Sequence, residues 1–136
     1  MAQIAVNPFL MKDCLLTVAA SDYAKHVSAV EFVPTSSVAT WKGLTPDSVF
    51  SFGSNATWVC NLTYAQDWST ADSLSRYLYD HEGEEIEVVF EPVAGGPSVT
   101  ATLIITPGSI GGAVDSVAVS TVGLGVKGKP VLEAVA

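Results

Sequence analysis

The residues of this chain that come nearest to a catalytic arrangement are four glutamates, Glu84, Glu85, Glu87 and Glu91. The last three alternate with apolar residues, so a β-strand would place them on one face. Paired carboxylates of this kind perform glycoside hydrolysis. A hydrolase also needs a cleft lined with aromatic and polar residues, which one acidic strand face does not supply. We therefore predict a solvated or channel-facing acidic stripe, and a protein that is not an enzyme.

Other motifs of catalysis and metal binding are incomplete. His81-Glu82 begins like a zincin motif, but Glu85 occupies the position of the second histidine. The chain has two histidines, His26 and His81, which are too few for a His-rich metal site. The glycine-rich segment 108–112 lacks the lysine of a phosphate-binding loop. We predict no catalytic residue, no metal and no cofactor.

Tryptophans and cysteines leave alternatives open. Trp58 fits a core position of a strand, whereas Trp41 and Trp68 suit a sugar-binding site or a protein interface. Cys14 and Cys60 both lie in apolar strand patterns, which fits two buried free thiols or one disulfide.

Composition and charge restrict the class of partner. The chain has 136 residues, a net charge of −8 and only six basic residues, which form no stripe. A grip on nucleic acid through its phosphates is therefore not expected. Charged residues make up 15% of the chain, well below the roughly 25% of ordinary soluble domains, which suggests surface covered by partners. Without a leader-like or membrane-spanning segment, we expect a soluble protein made in the cytoplasm, with no membrane contact.

Alternating patterns predict a mainly β protein with one helix. Strands are expected over residues 15–20, 23–33, 56–64, 84–91, 99–105 and 115–124. Ser69 and Asp72 match a capping box, which predicts a flanking α-helix over about residues 70–81. Such a count favours a single domain, residues 1–136, built as an antiparallel β-sandwich or half-barrel.

Three segments fall outside this pattern. Residues 1–9 are uncharged and mostly apolar, and we interpret them as an extended arm. Residues 34–55 are predicted to be a long loop, with Val38–Trp41 as a weak strand candidate. This loop is too apolar to lie free in solvent. Residues 127–136 are predicted to be a short tail.

Three stretches of the sequence carry a family resemblance. They are 27–34 (VSAVEFVP) with 40–46 (TWKGLTP), the strand–helix–strand passage 58–90 containing 74–78 (LSRYL), and the ending 111–130 with its GVKGKP at 125–130. Together they resemble the tail tube (major tail) proteins of long-tailed actinobacterial phages. The resemblance implies a tail-tube-like β domain in the virion tail, self-assembling into stacked hexameric rings around a DNA-conducting lumen.

The same resemblance implies partners and contact residues. The partners are other copies of the chain, the tape measure protein, the tail terminator and the tail-tip proteins, while DNA passes without specific binding. Glu85, Glu87 and Glu91 are the expected lumen-facing residues. Contacts between rings or subunits fall on the arm, the long loop and the tail, at Ile4, Val6, Phe9, Trp41, Leu44, Val49, Phe50, Phe52, Lys127 and Lys129. The alternatives are a capsid decoration or head–tail joining protein and, less favoured, a sugar-binding module.

Overall fold

The computed structural model describes residues 2–19, 21–93 and 95–133. These residues form nine strands and one helix in the following order: β1 Leu15–Val18, β2 Ser21–Asp22, β3 Val27–Thr35, β4 Val38–Lys42, β5 Val49–Gly53, β6 Thr57–Ala65, α1 Leu74–Asp80, β7 Glu85–Glu91, β8 Val99–Ile104 and β9 Val119–Leu132.

Seven strands make one antiparallel sheet in the order β2-β1-β7-β8-β9-β6-β3, and β4 pairs with β5 in a separate two-stranded sheet. The large sheet curves into a half-barrel, which confirms the predicted mainly β fold class. The long strand β9 joins its two halves, because β6 pairs with residues 119–125 of β9 and β8 pairs with residues 125–132.

The core lies on one face of this sheet. Alternate residues of the strands point inward and are almost fully buried, including Leu16, Leu62, Val88, Leu103 and Leu124. Leu74 and Leu78 of α1 are also buried, so the helix packs with its apolar stripe against the core. The opposite face of the sheet carries the polar residues of the alternating pattern.

The helix is shorter than predicted. It spans Leu74–Asp80 rather than about 70–81, and its N-cap is Ser73, whose hydroxyl oxygen accepts a hydrogen bond from Arg76 N. The proposed cap Ser69 lies in a turn, where Asp67 accepts hydrogen bonds from the amides of Ser69 and Thr70. Since Asp67 captures these donors, the helix begins later.

The predicted loop over residues 34–55 is in fact mostly β-structure. Pro34 does not end β3, which continues to Thr35, because an edge strand tolerates a proline. The chain then forms the β4–β5 hairpin, with Trp41 opposite Phe50 and Ala39 opposite Phe52.

The predicted tail from residue 127 is also largely strand. β9 begins at Val119 and extends to Leu132, and it pairs with β8 beyond Lys127. A register shift with a left-handed Gly128 accommodates Pro130, which lacks an N–H to donate. Residues 134–136 of the predicted tail lie outside the described residues.

Strand directions give the half-barrel two different ends. β3, β7 and β9 run one way, and β1, β6 and β8 run the other. One end, called here the hairpin end, carries the β4–β5 hairpin and the start of β1, where the arm enters. The other, the helix end, carries α1 and the connection 105–118 between β8 and β9.

Candidate assembly surfaces

The three glutamates predicted to share a face do so. Glu85, Glu87 and Glu91 alternate along β7 with the core residues Val88 and Phe90. Glu87 lies opposite Thr102 of β8, which in turn lies opposite Lys127 of β9. Lys127 Nζ is 3.1 Å from Glu85 Oε2, so one carboxylate of the stripe is paired and exposed to solvent. The polar face is therefore acidic, with its charge partly balanced by a lysine of the same sheet.

Hydroxyl and amide groups continue this polar face across β9 and β6. Thr121 and Thr63 lie opposite each other with their hydroxyl oxygens 3.1 Å apart, and Asn61 lies opposite Gly123. The polar character of this face is interrupted by Val59, Val89 and Ile104. The carboxylates and small hydroxyls of the face are well hydrated and attract no phosphate backbone. Its chemistry suits contact with water or passage of a polyanion better than burial.

The β4–β5 hairpin has one aromatic face. Ala39 and Trp41 of β4 and Phe50 and Phe52 of β5 share that face, and Trp41 and Phe52 remain 66% and 63% exposed. An isolated two-stranded hairpin is marginally stable in water. Exposed aromatic side chains at this density are typical of surfaces that bind another molecule.

Further contact residues predicted from the sequence are also exposed. Leu44 in the hairpin tip and Val49 at the start of β5 are uncovered, as are Ile4, Val6 and Phe9 of the arm. The arm passes the turn between β7 and β8, where Asn7 and Phe9 line a cavity with Pro92, Val93 and Pro97. Hairpin and arm therefore bring most of the predicted contact residues to the hairpin end.

Lys127 and Lys129, which were also predicted to make contacts between rings or subunits, lie in two different environments. Lys127 lies on the acidic face, paired with Glu85. Lys129 lines a cavity of about 540 Å³ at the base of the hairpin, with Trp58 and residues 55–57 among its neighbours. This cavity forms where β6 leaves its pairing with β9 at Val59.

A second apolar surface lies at the helix end, and sequence reasoning selected only one of its residues, Trp68. Trp68, Tyr79 and Ile110 line a cavity of about 200 Å³ whose other lining residues are Arg76 and Asp80. Trp68 and Tyr79 meet edge to face with centroids 6.5 Å apart. The signal was present in Trp68, which the sequence marked as an interface candidate. Tyr79 and Ile110 come from distant segments that only the fold brings together.

Both histidines lie at the helix end as well. His26 packs against Tyr23, Tyr23 against Tyr77, and His81 stacks on Tyr77 at 4.1 Å. Among residues 2–19, 21–93 and 95–133, no group of His, Cys, Asp or Glu is arranged to hold a metal ion.

The cysteines are both free. Cys60 is fully buried, and burial raises the pKa of its thiol to about 12, so it remains protonated at neutral pH. Cys14 Sγ donates a hydrogen bond to the carbonyl oxygen of Pro92 at 2.9 Å. Of the two alternatives left open by the sequence, the structure has the free thiols, but only Cys60 is buried, whereas Cys14 is half-buried.

Comparison by sequence finds no match for the chain, whereas comparison by structure does. No protein-family model matches the chain, and no curated protein matches it by sequence. A search of solved structures finds the sheath/tube terminator of PVC, an extracellular contractile injection system, in its extended state. The two share a fold. The TM-score is 0.62 at 11% identity, over 96% of this chain and 100% of the terminator chain.

This likeness agrees with the tail-tube-like fold that the family resemblance implied, and at 11% identity it concerns the fold alone. In the described part of the chain, no helix has the length and apolar character needed to cross a membrane.

Proposed function

We propose that this protein is a structural subunit of a phage-type tail that assembles with copies of itself into stacked hexameric rings, forming a tail tube through which DNA is delivered. The observation that carries the proposal is the aromatic face of the β4–β5 hairpin, which none of the residues that the structure describes covers. A monomer in solution would keep this surface wet at a considerable cost in free energy.

Two further observations support the proposal. The fold likeness to a sheath/tube terminator extends over nearly the whole chain. The sheet also has free edges at β3 and β2, and closure into a ring of subunits would cover such edges. Within the tube, the acidic face would line the lumen, where carboxylates keep DNA from adhering. Tape measure, terminator and tail-tip proteins would then be its partners during assembly in the host cytoplasm.

Electron microscopy of the purified chain at rising concentration tests the proposal. We expect hollow tubes, and we expect Trp41→Glu to prevent them because it places a charge on the aromatic face of the hairpin. Thr40→Glu is the matched control, since Thr40 lies on the opposite face of the same strand. A wild-type chain that stays monomeric at every concentration, even with tail tips supplied as nuclei, would refute the proposal.

A tail terminator is the second candidate, because one solved structure with this fold is a sheath/tube terminator matched along its full length. In that role the chain would bind the end of a tube made by another protein rather than build the tube itself. Discrete rings that do not stack, and that bind tube ends, would favour this candidate over a tube subunit.

A further inference from the structure

A cavity of about 460 Å³ lies at the helix end, between β2 with its following turn and the helix α1. It is separate from the cavity lined by Trp68 and shares no residue with it. Its lining side chains are two aspartates, two tyrosines, two histidines and a serine, so every one of them carries a polar atom. The volume is that of a binding pocket. The polar lining suits a ligand group that is charged or forms many hydrogen bonds.

The two carboxylates of this cavity have no basic partner. Asp22 and Asp72 are exposed, and among the described residues neither lies within ion-pair distance of a lysine or an arginine. Asp22 Oδ1 accepts a hydrogen bond from Ala24 N at 2.9 Å, which fixes the position of this carboxylate. Both negative charges can therefore bind a cation that comes from outside the chain.

Tyrosine and histidine side chains add further hydrogen-bond acceptors. Burial, followed by the charge of Asp72, raises the pKa of Tyr23, which is 5% exposed. Burial also raises the pKa of Tyr77, so both hydroxyls are neutral at pH 7 and each has an oxygen that accepts hydrogen bonds. His81 Nδ1 donates to the carbonyl oxygen of Tyr77 at 2.9 Å, which leaves Nε2 as the acceptor of a neutral ring.

A guanidinium group matches this set of acceptors. It is planar and always charged, and it has five N–H donors and no acceptor. It also stacks on aromatic rings. The aromatic wall of the cavity consists, in order, of His26, Tyr23, Tyr77 and His81, with successive ring centroids 5.4, 6.1 and 4.1 Å apart. A metal ion matches less well, because in the described part of the chain no group of His, Cys, Asp or Glu is arranged to hold one.

We infer that this cavity binds an arginine side chain of a partner protein, whose guanidinium pairs with the carboxylates of Asp22 and Asp72 and packs against the tyrosine rings. Another copy of this chain is not the source, because Arg76 is the one arginine of the sequence and its Nε donates to the carbonyl oxygen of Trp68 at 2.7 Å. The net charge of −8 adds a long-range attraction for a basic partner. The site does not require that the chain build a tube.

NMR spectra of the tyrosine and histidine rings test the site, with Nα-acetyl-arginine amide as the probe. We expect a saturable shift of the signals of the four rings in the full-length chain. The citrulline analogue, which keeps the shape of arginine but has no charge, should produce no such shift. Asp22→Asn and Asp72→Asn should each weaken binding of the probe about ten-fold, because each removes a charge-assisted hydrogen bond.

Asp80→Asn is the matched control, because it removes the same charge from an exposed residue of α1 outside this cavity. We expect it to bind the probe as the wild type does. An equal loss of affinity in Asp80→Asn would show a general effect of charge and would overturn the site. The absence of a saturable shift would overturn it as well.

Two further measurements test the identity of the bound group. An equal response to Nα-acetyl-lysine amide would contradict the assignment to arginine. If rising protein concentration shifts the same ring signals without the probe, another copy of the chain occupies the cavity and the assignment to a partner protein is wrong. Tube formation is tested separately by electron microscopy, so failure of this site leaves the proposed function standing.

Discussion

Gly108 shows how one missing side chain can determine the packing of a buried residue. Tyr64 is almost fully buried, and a β-carbon at position 108 would lie 2.0 Å from its hydroxyl oxygen. We expect Gly108→Ala to destabilise the fold by about 1–3 kcal/mol, the usual cost of overpacking a core. Urea denaturation measures this. Gly112→Ala is the control, because its nearest neighbour would be 3.8 Å away, and equal stability of both variants would contradict the prediction.

Asp67 predicts a pH dependence of folding. Hydrogen bonds from Thr70, and then from Ser69, lower the pKa of its carboxyl to about 2. A group with a depressed folded-state pKa stabilises the protein above its unfolded pKa of about 3.9 and loses that contribution as pH falls toward 2. We expect Asp67→Asn to reduce the loss of unfolding free energy between pH 4 and pH 2. Denaturation curves of both proteins at each pH measure the unfolding free energy. If it falls as steeply with pH in Asp67→Asn as in the wild type, this role of Asp67 is wrong.

Local residue patterns predict what a segment can do, and tertiary neighbours decide which option is used. Ser69 and Asp72 satisfy the sequence rule for a capping box, yet Ser73 caps the helix because Asp67 binds the amides of Ser69 and Thr70 first. Glu85, Glu87 and Glu91 were assigned correctly to one face, because alternation in a strand needs no tertiary information.

At the scale of elements, the C-terminal half of β9 is a structural strand rather than a tail. Its pairing with β8 runs from Thr102–Lys127 to Val99–Leu132, and Pro130 is buried. We expect a chain that ends at Val126 to be less stable than one that ends at Glu133 by about 3 kcal/mol or more, since each lost backbone hydrogen bond contributes about 1 kcal/mol. Thermal unfolding of the two chains measures the difference, and similar midpoints would contradict it.

Elements with clear alternation were predictable, and those with mixed patterns were not. The ends of β6, β7 and β8 were predicted to within two residues. These strands alternate between an apolar and a polar side, which makes them easy to recognise in the sequence. The β4–β5 hairpin was obscured by Gly43, Pro46 and Gly53, which indicate a loop. The aromatic face of this hairpin packs against no core of the described residues. The sequence therefore shows that these residues are apolar but not what they contact.

At the scale of the molecule, strand pairing carries information that no local pattern contains. The half-barrel class followed from counting strands with one apolar face. The order β2-β1-β7-β8-β9-β6-β3 depends on pairings such as β1 with β7, whose register sets Leu15 opposite Glu91 far along the chain. That order places the β4–β5 hairpin and the cavity lined by Trp68 at opposite ends of the molecule, which no local sequence pattern shows.

The acidic face gives the last prediction, which concerns the assembled tail. Changing Glu85, Glu87 and Glu91 to lysine raises the formal charge of each chain by six, from −8 to −2, and the new cations would lie on the face proposed to line the lumen. We expect slower DNA ejection, more so at low salt, because lysines bind phosphates with counterion release. Tube formation should persist, since these side chains are outside the core and the hairpin.

The matched control changes the same charge elsewhere. Asp72, Glu82 and Glu84 are exposed near α1, and their replacement by lysine also gives −2 per chain without altering the acidic face. If net charge alone governs ejection, both triple variants will slow it equally. If only the β7 variant slows DNA ejection, and added salt reduces the effect, Glu85, Glu87 and Glu91 face the passing DNA. Unchanged ejection kinetics in the β7 variant would remove Glu85, Glu87 and Glu91 from the lumen.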